Sequence, residues 1–171
     1  MWYFTADLHF DHANIIHEFQ FRPFQNSIEM NEAIIETWNR TVKGGDVVVI
    51  AGDITLKWKR VDVERKFLSR LNGNLIVVRG NHDYWFKGGR YMYRKRVNGR
   101  PIIVSHEPML TWSGKQYGAW NLHGHSHGNL KGYRQFRWRQ FDVGIDVAYV
   151  MLGEFRPFSF DELEYMIEGG K

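Results

Sequence analysis

Val47-Val48-Val49-Ile50-Ala51-Gly52-Asp53 is an unbroken apolar run that stops at a glycine and a carboxylate. A strand with one wet face alternates polar and apolar residues. A continuous Val/Ile run instead asks for burial on both faces, as in a parallel sheet between two layers. The same arrangement recurs along the chain. Trp2 to Ala6 leads into Asp7-Leu8-His9, and Leu75 to Val78 into Arg79-Gly80-Asn81-His82-Asp83. Ile102 to Val104 leads into Ser105-His106, and Trp120-Asn121-Leu122 into His123-Gly124-His125-Ser126-His127.

Helical patterns separate the early runs. Ser27 or Asn26 can cap a helix whose apolar face carries Met30, Ile34, Trp38 and Val42, closed by Gly44-Gly45. A second helix is predicted around Val61 to Leu71, presenting Val61, Phe67, Leu68 and Leu71, with Gly73 after it. The β-α-β-α-β order implies parallel pairing. The later half reads as more antiparallel. Asn98-Gly99 is a hairpin turn between Tyr91 to Val97 and the Ile102 run, and Phe141 to Val147 reads as a further strand. Ser159 and Glu162 form a capping box for a last helix. The expectation is an α/β protein, one domain over residues 1–171, with two packed sheets and helices outside.

Composition narrows the function. Apolar residues make up 43%, which excludes a disordered chain. The seven Trp, eight Tyr and twelve Phe are expected to fill the core or shape a pocket. There is no Cys, so disulfides, thiolate catalysis and Cys-based zinc sites are excluded. No charged segment precedes a long apolar stretch at Met1, so no signal peptide is expected. The apolar runs are too short to span a bilayer, and a cytoplasmic protein without a membrane partner is the expectation. The net charge of +4 owes much to Arg94-Lys95-Arg96, Arg100, Arg134, Arg137 and Arg139, most of which read as a solvated face.

The polar residues at the run ends carry the chemistry. Asp7, His9, Asp53, Asn81, His82, His106, His125 and His127 follow five runs, and five of the protein's eight histidines are among them. Open α/β sheets place their ligands at the carboxyl ends of strands. Imidazoles mixed with carboxylates suit Mn, Fe, Zn, Ni or Co. Asp7 and His9, like His125 and His127, are two apart, which in extended chain points both side chains to one face. Gly52, Gly80 and Gly124 directly precede candidate ligands.

In this order, Asp-x-His, Gly-Asp, Gly-Asn-His-Asp, Ser-His and Gly-His-x-His resemble the calcineurin-like metallophosphoesterases. Asp7 to Ile16 is similar to a subgroup of short bacterial and phage members, and the resemblance runs from Asp7 to about Ile145. It implies a four-layer sandwich, with helices flanking two mixed β-sheets. It also implies a phosphoric ester hydrolase, a phosphodiesterase or phosphatase. Asp7, His9 and His127 would hold one divalent metal, Asn81, His106 and His125 a second, and Asp53 would bridge them. Manganese is the first expectation, with Fe, Zn, Ni, Co or Mg as alternatives. Two such ions about 3.5–4 Å apart lower the pKa of a bridging water and clamp the phosphoryl oxygens.

By the same resemblance His82 stands beside the scissile phosphate without binding metal, and Asp83 orients its imidazole. His12, Asn14 and Arg79 are candidates for substrate contact, His17 is expected exposed on a helix, and His123 structural. Ile54-Thr55-Leu56-Lys57-Trp58 follows Asp53 where protein Ser/Thr phosphatases and dinucleoside-tetraphosphate hydrolases of the family carry Asp-Arg-Gly nearby. A small phosphodiester or nucleotide is therefore the expected partner. A nuclease using the basic residues, or a scaffold without catalysis, is the alternative.

Overall fold

Val47–Ala51 lies at the centre of a sheet in the computed structural model, which describes residues 1–18, 22–57, 59–130 and 138–169. Strand β1 (Trp2–Thr5) pairs in parallel with β2 (Val47–Ala51), and β2 with β3 (Asn74–Val78). The short β8 (Phe158–Ser159) joins the other edge of β1 antiparallel, giving the order β3-β2-β1-β8. Alternation along β1 and β2 shows why these runs are almost wholly apolar, with Thr5 the exception. Tyr3, Val48 and Ile50 pack with Met30, Ile34 and Trp38 on one side. Phe4, Val49 and Ala51 pack on the other with Val104, Trp120 and Leu122 of the second sheet. Both faces are core.

The second sheet has the order β4-β5-β6-β7: Met92–Val97, Arg100–Ser105, Trp120–His123 and Gln140–Asp142. Asn98 and Gly99 turn β4 into β5 with φ of 46° and 82°, the left-handed pair that a type I′ turn demands. Within this sheet, among the described residues, only this pair of strands is antiparallel. β5 with β6 and β6 with β7 run parallel, contrary to the expected antiparallel half. The fold is thus two mixed four-stranded sheets flanked by helices, as the resemblance implied.

The helices are α1 (Ala13–Glu18), α2 (Ser27–Thr41), α3 (Arg60–Lys66), α4 (Ile145–Leu152) and α5 (Phe160–Glu168). Asn26 caps α2, its side-chain oxygen accepting from Ile28 N and Glu29 N, both at 3.0 Å. Extended backbone at Val42 ends that helix, so Gly44-Gly45 lies beyond the stop. The second predicted helix is shorter than expected: α3 ends at Lys66 and a 3-10 turn follows over Leu68–Arg70. Its buried face carries Val63 and Phe67, whereas Val61 is 66% exposed, a correction of register.

The predicted strand from Phe141 to Val147 stops at Asp142, and α4 begins at Ile145. Asp142 accepts from Gly144 N at 2.8 Å, and Ile145 N donates to Ala6 O at 2.9 Å. The chain is therefore drawn under the end of β1 instead of continuing the sheet. The capping box of α5 is present as read. Among the described residues no helix is long and apolar enough to cross a membrane.

Candidate metal centre

The loops leaving β1 and β2 are fastened to each other before they present any side chain. Asp7 N donates to Gly52 O, His9 N to Asp53 O and Phe10 N to Ile54 O, at 2.8–3.0 Å. Asp7, His9, Asp53, His125 and His127 all have left-handed backbone, with φ of 45–67°. Side chains other than glycine pay for that conformation, and such strain concentrates at functional sites. The expectation that Asp7 and His9 converge because an extended strand puts them on one face is thus corrected. The strand ends at Thr5, and the two residues are aimed by paired left-handed turns. Glycine is needed where the loops touch. A Cβ on Gly80 would fall on the Asp53 carboxylate, and one on Gly124 would lie 2.8 Å from Asp7 Oδ2.

Two groups of donors result. In the first, the ligand atoms of Asp7, His9 and His127 all lie within 4.8 Å of one another. His127 Nδ1 is 2.7 Å from Asp146 Oδ2, which directs the other ring nitrogen inward. His9 Nε2 is buried with no hydrogen-bond partner. Burial pushes the Asp7 carboxyl up to about 7 and holds the His9 imidazole well below the usual histidine range, with Arg22 adding to the latter. A buried acid driven toward neutrality beside an orphaned imidazole nitrogen suits a cation, which would stabilise the carboxylate and occupy that lone pair.

In the second group, His106 donates Nδ1–H to Ala51 O at 2.8 Å and turns Nε2 toward Asn81 Oδ1, at 2.8 Å, and His125 Nδ1, at 3.2 Å. His125 Nδ1 is itself 2.9 Å from Asn81 Oδ1. Asp53 Oδ2 stands between the groups, 3.3 Å from His106 Nε2 and 3.8 Å from His9 Nε2. Burial opposes charge on both His106 and Asp53. Their mutual hydrogen bond and attraction outweigh it, raising His106 to about 9 and lowering Asp53 to about 2. Asp7, Asp53 and His106 also form a set with ligand atoms within 4.8 Å. Carboxylates, imidazoles and one amide oxygen are a donor set that fits borderline divalent metals.

Residues 3–159 match the family model for calcineurin-like phosphoesterases. The chain belongs to that family. Among its relatives is the uncharacterized protein MJ1445 of Methanocaldococcus jannaschii, 34% identical over 99% of this chain and 92% of its own. The gene 66 protein of Mycobacterium phage L5 is 25% identical over 84% of this chain and 86% of its own. A protein of unknown function from Aquifex aeolicus, AQ665, has the same fold, with a TM-score of 0.71, 23% identity and coverage of 98% of this chain and 99% of that one.

Within this calcineurin-like phosphoesterase, His82 stands at the rim of the first group. Its Nε2 is 4.0 Å from Asp53 Oδ2, and its ring lies 5.5 Å from that of His9 and 6.4 Å from that of His12. Asp83 does not orient it, and the expected dyad is corrected. The Asp83 carboxylate is buried and accepts from Gly80 N, Asp53 N, Ile54 N and Trp85 Nε1 at 2.8–3.0 Å. Three of those donors are backbone, so Asp83 fixes the loop that aims Asp53. His12 Nδ1 is 3.3 Å from His9 Nδ1, which brings it to the centre. Asn14 is exposed in α1, and no described contact joins it to the donors. His17 is exposed on α1, and His123 is buried against Gly124 O at 2.9 Å, both as expected.

Arg79 donates to the Tyr91 hydroxyl at 2.8 Å and lines a cleft of about 380 Å³ that opens on Asn81 and His106. Of the basic residues, Arg100 and Arg139 turn toward Glu168, at 3.3 and 3.8 Å, and Arg94 and Arg96 are exposed on β4. Arg134, Arg137 and Trp58 lie outside the described residues.

Two residues of the centre escaped the sequence reading. Arg22 is buried, donates from Nε and Nη2 to the Asp146 carboxylate at 2.7 and 2.9 Å, and binds Asp7 O and Leu8 O at 2.6 and 3.0 Å. Asp146 in turn holds His127. The attraction of Arg22 and His127 outweighs burial and keeps the Asp146 carboxyl far below the ordinary range. Neither residue sits at a glycine-marked run end. Only the 124-residue separation closed by folding brings them together.

Proposed function

We propose that this chain is a binuclear metal-dependent phosphoesterase that hydrolyses a small phosphodiester or nucleotide. The observation that carries the reading is the place of Asp53, whose Oδ2 lies between His106 Nε2 and His9 Nε2 as a carboxylate shared by two donor groups. Asp7, His9 and His127 would hold one ion and Asn81, His106 and His125 the other, with manganese the first expectation. When bound, the ions supply an activated water and neutralise charge on the phosphoryl oxygens.

The protein's own residues do the rest. Arg22 and Asp146 hold the Asp7-Leu8 backbone and the His127 ring, so the donors keep one geometry. Asp83 does the same for Asp53. With seven ligands and only two carboxylates among them, the loaded centre is net positive and favours an anionic ester. His82, half exposed and near Asp53, is placed to give a proton from its ring to the departing oxygen. The expected partner is a small phosphorylated compound.

The experiment is metal analysis combined with turnover. The protein saturated with Mn should carry two ions and release p-nitrophenolate from bis-p-nitrophenyl phosphate. One ion or none at saturation, or no release with any of Mn, Fe, Zn, Ni, Co or Mg, would overturn the reading.

A further inference from the structure

The centre has two differently furnished sides. His82 and His12 gather around His9, in the first donor group. The cleft opens on the other side, with Asn81 and His106 as one wall and Arg79, Tyr91, Met92 and Met109 among the rest. Its volume of about 380 Å³ falls in the range of small-molecule sites. A phosphomonoester has one organic substituent, whereas a phosphodiester has two. A proton donor on one side and a roomy cleft on the other offer a place for each.

The lining says what the second substituent is. Tyr91 is largely exposed, and its phenol is held by the Arg79 guanidinium, which lies 5.5 Å from the ring centroid. Two thioethers, Met92 and Met109, and Pro108 supply adaptable apolar wall. Away from the donor side chains, Arg79 and Glu107 bring one charge of each sign, so that part of the cleft has no excess charge with which to draw a second phosphate. An aromatic ring, a planar cation and thioethers are what stack on a flat heterocycle.

We propose that this cleft binds the retained substituent of a phosphodiester and that this substituent is a nucleoside, its base lying against Tyr91 and Arg79. The proposal rests on the phosphoesterase reading and narrows its substrate class. In the reaction, water oxygen bonds to phosphorus and the bond from phosphorus to the other ester oxygen breaks. That oxygen leaves as an alcohol on the His82 side, taking a proton, and a nucleoside monophosphate stays in the cleft.

The test compares two diesters with the same leaving group, thymidine 5′-p-nitrophenyl phosphate and methyl p-nitrophenyl phosphate, on the Mn-loaded protein. The ratio of their kcat/KM values should favour the thymidine ester by about five- to hundredfold, the range for one stacked base. Tyr91→Ala and Met109→Ala should each collapse that ratio toward one. Calorimetry with thymidine 5′-monophosphate reads the cleft without turnover, and Tyr91→Ala should weaken its binding at least about fivefold. A wild-type ratio near one, or a ratio and a nucleotide affinity that Tyr91→Ala leaves unchanged, would overturn the cleft assignment. Methyl ester hydrolysis in that case would leave the phosphoesterase reading standing. Nucleotide binding that depends on Tyr91, with no ester hydrolysed, would uphold the cleft and overturn the reading.

Discussion

Asp7, His9 and His127 lie below the surface, braced from behind by a buried Arg22–Asp146 ion pair. Asn81 and His125 stand exposed beside a cleft, and with His106 they lean mostly on one another. Both groups use imidazole and oxygen donors, and both share Asp53. What differs is how much of the protein is spent on holding them. In the first group a guanidinium ties two backbone carbonyls and a carboxylate, and that carboxylate ties a ligand ring. In the second, among the described residues, the His106 ring is anchored through Ala51 O and the His125 backbone through the Asp7 carboxylate, while the Asn81 side chain meets only the other two. The first group is the more heavily braced, and the second is the more open to solvent. An ion in the first should be the tighter and slower to leave.

The sharpest way to break this comparison is to remove what the groups share. Asp53→Asn should lose both ions, because each set of ligands forfeits its common charge. Residues outside the ligand set typically cost 10–100-fold in metal affinity, roughly, so the loss at both sites should exceed about a hundredfold. Calorimetric titration with Mn decides, and a variant that keeps both ions removes Asp53 from its shared role. His82→Ala should spare both ions and lower kcat by about 10²–10⁴-fold. If His82 gives a proton, the loss should grow along a series of esters with poorer leaving groups. A loss of equal size across the series would assign it to phosphoryl charge instead.

Asp146→Asn tests the bracing itself. It keeps an acceptor near Arg22 but removes the charge that directs His127. Mn affinity should fall about 10–100-fold at one site while the other is unchanged. An equal fall at both sites would show that the ion pair holds the fold in general. The smallest effect expected is in the order of loss. Under a chelator the two ions should leave in two phases, and His125→Ala should abolish the fast phase while leaving the slow one. A single phase in wild type would mean that burial and bracing do not distinguish the groups.

Much of this was open to a reader of the sequence. Short β-branched runs without polar positions, such as Val47–Ala51, favour strands with two buried faces, and Asn98-Gly99 states its own turn. The polar residues after each run are recognisable because imidazoles and carboxylates are costly to bury without a purpose. Where periodicity was weak the reading slipped. Val61 falls on the exposed face of a seven-residue helix, and the first turn of α4 reads as strand because Phe141, Val143, Ile145 and Val147 alternate with Asp142, Gly144 and Asp146 as a half-buried strand would.

The amino-acid sequence by itself determined which residues are ligand candidates, since their chemistry and their place at the ends of apolar runs are local properties. Tertiary structure alone decided how they act together. The left-handed turns that aim Asp7 and His9 exist because the β1 and β2 loops bond to each other. Asp83 serves the Asp53 backbone and not His82, because three peptide N–H groups and an indole meet its buried carboxylate there. Arg22 and Asp146 become one device only after 124 residues of chain have folded between them. Local sequence carries propensity and chemistry, but a hydrogen bond between distant residues appears only once the packing that excludes water has brought its two ends together.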